Sequence, residues 1–100
     1  MAIVEITVVP IGTGSTSVSE YVAKCQKVLE QETNIHYQLT PMGTVIEGDI
    51  KVLFEVLQKI HEVPFVEGAQ RVATTIKIDD RRDKEGTISQ KINSVKEKLK

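Results

Sequence analysis

The densest group of chemically useful side chains lies where Thr40-Pro41-Met42-Gly43-Thr44 is followed, three residues later, by Glu47. Two hydroxyls, a thioether and a carboxylate at a chain reversal are suited to a small organic ligand. The hydroxyls donate and accept hydrogen bonds, the thioether packs softly on a ring, and the carboxylate faces a cation or an amino group. Turn formation alone accounts for Pro41 and Gly43 but does not require Met42, Thr44 or Glu47. The segment therefore reads either as turn chemistry or as a ligand-facing cluster.

Other reactive residue types are dispersed. His36, His61 and Cys25 fall on separate elements without CxxC or HxxxH spacing, which argues against a metal site. Cys25 lies on an apolar helical stripe, the setting of a buried, inert thiol rather than an activated nucleophile. Gly12-Thr13-Gly14 is a fragment of a phosphate loop without the rest of the motif, so its glycines serve a turn or line a pocket mouth. No base and nucleophile stand at a recognisable spacing, so a non-catalytic protein is expected. Asp79 to Lys84 alternates in sign and reads as a solvated loop with local ion pairs, or as two arginines able to hold an anion.

The elements that must position these groups follow from periodicity. Residues 2 to 10 alternate as a strand ending at Pro10, with Val4, Ile6 and Val8 on one face and Glu5 and Thr7 on the other. Ser17 and Glu20 form a capping box for a helix whose stripe is Val18, Tyr21, Val22, Cys25, Val28 and Leu29, reaching about Glu32. Residues 36 to 40 and 44 to 47 form a hairpin, with Tyr37 and Leu39 toward the core. Asp49 caps a second helix with Ile50, Leu53, Phe54, Leu57 and Ile60 inward, and Pro64 just past its end. Residues 71 to 78 form the last strand. Thr87 and Gln90 open a third helix whose seam, Ile88, Ile92, Val95 and Leu99, suits a sheet edge or a partner subunit.

The order β-α-β-β-α-β plus a carboxy-terminal helix predicts an α+β, ferredoxin-like fold with an antiparallel sheet and two helices on one face. The opposite face then carries Glu5, Thr7, Gln38, Thr40, Glu47, Arg71, Thr75 and Lys77 beside Ile3, Val9, Val45 and Ala73. That mixture is too apolar for plain solvent surface and too polar for a dry core. It reads as a self-association surface, or as a pocket formed where copies meet.

Composition narrows the classes. One hundred residues, 40% of them hydrophobic, suit a single domain spanning residues 1–100. With 13 basic and 14 acidic side chains the formal charge is -1, which removes the field that draws a protein to nucleic acid or an anionic membrane. One cysteine forbids an internal disulfide, and no apolar run approaches the roughly 18 residues of a membrane span. A reducing, cytoplasmic setting is expected, with no membrane partner.

Several ordered segments together resemble one family. They are Val9-Pro10-Ile11-Gly12-Thr13, Ser17 through Ala23, Tyr37 through Thr44, Glu47-Gly48, and Arg71-Val72 with Lys77 through Lys84. Over nearly its whole length the chain is similar to the thiamine-binding protein family, structurally grouped with YkoF-like proteins. The resemblance implies a ferredoxin-like fold, homodimers or homotetramers built through the sheets, and binding of thiamine or its hydroxymethylpyrimidine part without turnover. Thiamine is here a ligand, and no cofactor is implied. Carried residue by residue, the implied pocket draws on Ser17, Tyr37, Thr40, Met42, Thr44 and Glu47. The chemistry is compatible: thiamine offers a cationic thiazolium and an aminopyrimidine edge, which call for a carboxylate or for oriented hydroxyl partners. The alternative is a structural or regulatory homo-oligomer with no specific thiamine ligand.

Overall fold

Alternating apolar residues in the first ten positions must bury one face, and the sheet that does so is built around them. The computed structural model describes residues 1–100, in the order β1 (Ala2–Ile11), α1 (Ser19–Glu30), β2 (His36–Thr40), β3 (Gly43–Gly48), α2 (Ile50–Val66), β4 (Arg71–Asp80) and α3 (Ile88–Lys98). The sheet is antiparallel throughout, in the order β2-β3-β1-β4. This is the expected ferredoxin-like arrangement plus a third helix.

Register assigns the two faces. Val4 lies opposite Ile46 and Ile78, and Ile6 opposite Thr44 and Ile76, so these residues share the helix-covered face. There Val4, Ile6 and Ile46 pack with Leu29 of α1 and with Leu53, Val56, Leu57 and Ile60 of α2, all buried. Each such aliphatic side chain contributes on the order of 1.5–3 kcal/mol by leaving water. The other face gathers Ile3, Glu5, Val45, Glu47 and Lys77, as the alternation predicts.

Six local expectations are corrected, the first being Phe54, which is exposed on α2 while Val56 is buried in the core. β1 does not stop at Pro10 but runs through it to Ile11. From Thr7 onward β1 has lost β3 as a neighbour and pairs only with β4, so one flank of the strand needs no N–H donor. Ser17 does not cap α1: Val18 stands at the N-cap without a side-chain bond, while Ser17 N–H donates to Ser15 Oγ (3.1 Å) and its hydroxyl meets Ser19 Oγ (3.3 Å). Local serine bonds thus compete with the cap. Tyr37 and Leu39 share the face of Ile46 and Thr44 but stay 37% and 53% exposed, because β2 is an edge strand.

Pro64 lies inside α2 and is buried, not beyond the helix end. It cannot donate to the Ile60 carbonyl, and the Cys25 thiol approaches that oxygen instead, at 4.0 Å. The helix then ends on Gly68, at φ +102°, with Gly68 N–H donating to Phe65 O and Ala69 N–H to Pro64 O, the paired bonds of a Schellman motif. Asp79 and Asp80 belong to β4, paired with Ile3 and Ala2, rather than to the charged loop.

The third helix stands apart. Thr87 caps it as expected, accepting from Gln90 N–H at 3.0 Å, but no residue of α3 is buried, and Ile92, Val95 and Leu99 are exposed. The molecule is consequently elongated, 46 × 30 × 20 Å.

Candidate functional site

Where β3 begins, beside Ile6, β1 runs on toward Ile11 with β4 alone as its neighbour, and the sheet leaves a gap on the other flank. The hairpin turn folds back over it, and α1, from Ser19 to Leu29, closes the other side. The turn is tied down by Thr7 Oγ1, which donates to Met42 O at 2.9 Å. Thr40 Oγ1 donates across the turn to Gly43 O at 2.9 Å and accepts from Met42 N–H at 3.3 Å. Gly43 is required by close approach, since a Cβ there would lie 2.9 Å from Ile6 O and 2.8 Å from Thr7 Oγ1.

The resulting cavity measures about 650 Å³ and has 19 lining residues, 11 of them hydrophobic and none charged. Its volume falls within the range of about 300–1,000 Å³ usual for small-molecule sites. Val8, Val22, Leu29 and Leu39 supply apolar wall; hydroxyls and one amide supply the polar groups. Two other concavities, about 490 and 870 Å³, are lined mainly by charged residues that neutralise one another. In the smaller, the forks of Arg81 and Arg82 are occupied by Asp83 and Asp80. In the larger, Lys24 pairs with Glu67, and Lys59 pairs with Glu32 at 2.7 Å.

Four of the six expected site residues come together. Ser17, Thr40, Met42 and Thr44 line the uncharged cavity, although they arise from the loop before α1, the end of β2, the turn and the start of β3. Tyr37 and Glu47 do not line it. Tyr37 lies farther along the edge strand. Glu47 points to the opposite sheet face, where its carboxylate accepts from the backbone N–H of Ile88 at 2.6 Å. A buried acid is thereby engaged at the amino terminus of α3, where unpaired N–H groups and the helix dipole favour negative charge.

The cavity also contains residues that sequence reasoning passed over. Gln26 lines it, and its Nε2 donates to Thr44 Oγ1 at 3.1 Å. A signal was available: Gln26 stands four residues after Val22 and three before Leu29, a polar residue on the apolar stripe of an amphipathic helix. Cys25 also reaches the cavity wall, and burial pushes its thiol above its ordinary value, which keeps it protonated. No three His, Cys, Asp or Glu side chains converge to hold a metal ion. No helix is long and apolar enough to cross a membrane.

Comparison with known proteins gives a consistent picture. The family model described as "Thiamine-binding protein" matches residues 4–96. The chain is 57% identical to the UPF0045 protein YqgV of Bacillus subtilis, covering 99% of this chain and 98% of that one. It is 44% identical to a UPF0045 protein of Methanothermobacter thermautotrophicus, covering 99% and 100%. Among solved structures, a hypothetical protein of Methanocaldococcus jannaschii superposes with a TM-score of 0.85 at 33% identity, over 96% of both chains. A Thermotoga maritima protein proposed to act in thiamine biosynthesis or salvage gives 0.77 over 94% and 97%. At 19% identity it speaks for the fold alone.

Proposed function

This chain belongs to the thiamine-binding protein family, and from that premise we propose that it binds thiamine or its hydroxymethylpyrimidine moiety, without turnover, in the cavity between α1 and the β2–β3 hairpin of a homo-oligomer. The observation that carries this reading is the convergence of Ser17, Thr40, Met42 and Thr44 on one largely apolar concavity. Its walls match the faces of a heteroaromatic ring, and its hydroxyls and amide match the ring's polar edge. Binding without chemistry accords with the raised Cys25 thiol, which lies protonated on the cavity wall.

Self-association is supported by two surfaces. The exposed seam of α3 repeats at four- and three-residue steps, the spacing with which helices pack in pairs, and the open sheet face carries Val9 at 40% exposure. A homodimer or homotetramer would cover both.

Calorimetric titration of the purified protein with thiamine and with hydroxymethylpyrimidine tests the ligand. Saturable binding with both compounds recovered unchanged is expected, and Ala23→Trp, which places a large ring at the exposed cavity rim, is expected to abolish it. Absence of binding at millimolar ligand by the folded wild type would overturn the reading and leave a structural or regulatory oligomer. Light scattering tests the assembly, and a mass of 11.1 kDa at all concentrations would exclude it.

A further inference from the structure

We propose that Gln26 and Thr44 form the specificity-determining contact of the cavity, reading the edge of a neutral planar heterocycle that carries an amino group beside a ring nitrogen. The proposal rests on the ligand reading above and narrows it to one part of the ligand.

Hydrogen-bond capacity singles out this pair. Among the cavity's hydroxyls, Thr7 donates to Met42 O and Thr40 donates to Gly43 O, so both protons are spent on the turn. Ser17 and Ser19 face each other at 3.3 Å in an exposed position, where water competes for them. Gln26 and Thr44 differ in being more enclosed: Thr44 is 7% exposed and Gln26 is half-buried. Their mutual bond uses one amide proton and one hydroxyl lone pair. A primary amide has two protons and a two-lone-pair carbonyl, and a hydroxyl has its own proton, so the pair retains both an acceptor and donors. If the amide is rotated so that Thr44 donates to Oε1, both kinds of group still remain free.

Adjacent donor and acceptor match a ring nitrogen beside an exocyclic amine, the same two-point pairing that a glutamine side chain makes with the amino edge of adenine. A carboxylate would offer acceptors only, and an ammonium donors only. The absence of any charged residue from the lining acts in the same direction. A cationic ring or a phosphate drawn into the cavity would lose hydration without a counter-charge, whereas a neutral ring loses little. For thiamine this seats the aminopyrimidine beside Gln26 and leaves the thiazolium at the solvent-facing mouth.

The test is a cycle between protein and ligand. Wild type, Gln26→Leu and Thr44→Val, each checked for a cooperative thermal transition, are titrated with thiamine, hydroxymethylpyrimidine and the analogue in which hydrogen replaces the amino group. Deleting the amino group should weaken binding to wild type by about ten- to a hundredfold, the loss of one or two buried hydrogen bonds. Gln26→Leu should bind hydroxymethylpyrimidine and the analogue with equal, weakened affinity. Thr44→Val, which frees the amide from its anchor, should show reduced discrimination. Undiminished discrimination in Gln26→Leu, or in Thr44→Val should the first fail to fold, would overturn the proposal while leaving thiamine binding intact. Failure of all three compounds to bind wild type would instead overturn the ligand reading itself, and this inference with it.

Discussion

Glu47 illustrates at the residue scale how a carboxylate can be well placed for chemistry and yet be committed to architecture. It is only 8% exposed, and its oxygen accepts from Ile88 N–H, so one acid from β3 satisfies an otherwise unpartnered donor 41 residues away at the start of α3. Glu47→Gln keeps the acceptor but removes the charge assistance and the favourable interaction with the helix dipole. It should cost about 1–2 kcal/mol in urea denaturation, while thiamine affinity by calorimetry stays at the wild-type value. Asp83 offers a second check. The Arg81 guanidinium hydrogen-bonded to it holds its carboxyl at about 2, below the ordinary 3.8. A depressed acid adds stability above its unfolded value and loses it as pH falls through the folded one. Because both groups are exposed, that contribution is small and salt-sensitive. Carboxyl-carbon NMR should show the Asp83 midpoint near 2 at low salt and higher in concentrated salt.

Elements meet through similarly specific exchanges. Pro64 removes a donor from α2, and Cys25 of α1 approaches the carbonyl so released, which couples the two helices at the cavity wall. Cys25→Ala should therefore destabilise by about 1–2 kcal/mol through lost packing and the lost weak donor. In a Pro64→Ala background the cost should shrink, since residue 64 regains an N–H for Ile60 O; a double-mutant denaturation cycle measures the difference. At the hairpin, a methyl group on Gly43 would meet the Ile6 carbonyl, a backbone atom with little freedom to move. Gly43→Ala should push the turn away from β1, lower stability by about 1–3 kcal/mol and weaken ligand binding at least about tenfold, as titration alongside a thermal melt would show.

At the scale of the whole molecule, the shape leaves apolar surface uncovered. A 100-residue chain buries only 17 residues here, and α3 extends from the body with its apolar seam uncovered. Its attachments within the protomer include the Glu47 bond to Ile88 and an ion pair between Lys91 and Asp79. If α3 is completed by a second copy, Ile92→Glu combined with Val95→Glu should shift light-scattering mass toward the monomer, because a charge at a packed seam position must be desolvated. Far-ultraviolet circular dichroism should change little beyond α3, since no core residue is touched. An unchanged assembly would place the contact on the sheet face instead.

The sequence by itself determined the element order, the two faces of β1 and, Phe54 apart, the apolar stripes of α1 and α2, because each is a local periodicity imposed by 2.0 or 3.6 residues per turn. It also exposed the Pro41-Met42-Gly43-Thr44 turn, whose residue types are local signals, and with the family resemblance it brought forward Ser17, Tyr37, Thr40, Met42, Thr44 and Glu47. Only the tertiary structure decided which of those residues share a cavity, because that depends on where β3 begins beside β1 and how α1 crosses the gap. The same holds for Gln26, which periodicity marks as a polar interruption, while its pairing with Thr44 spans 18 residues and two elements. Pro64 reads from sequence as a helix stop, since a local rule counts only the missing donor. The fold reverses that reading by packing the ring in the core and bringing the Cys25 thiol to the released carbonyl, a contact between residues 35 positions apart that no local pattern encodes.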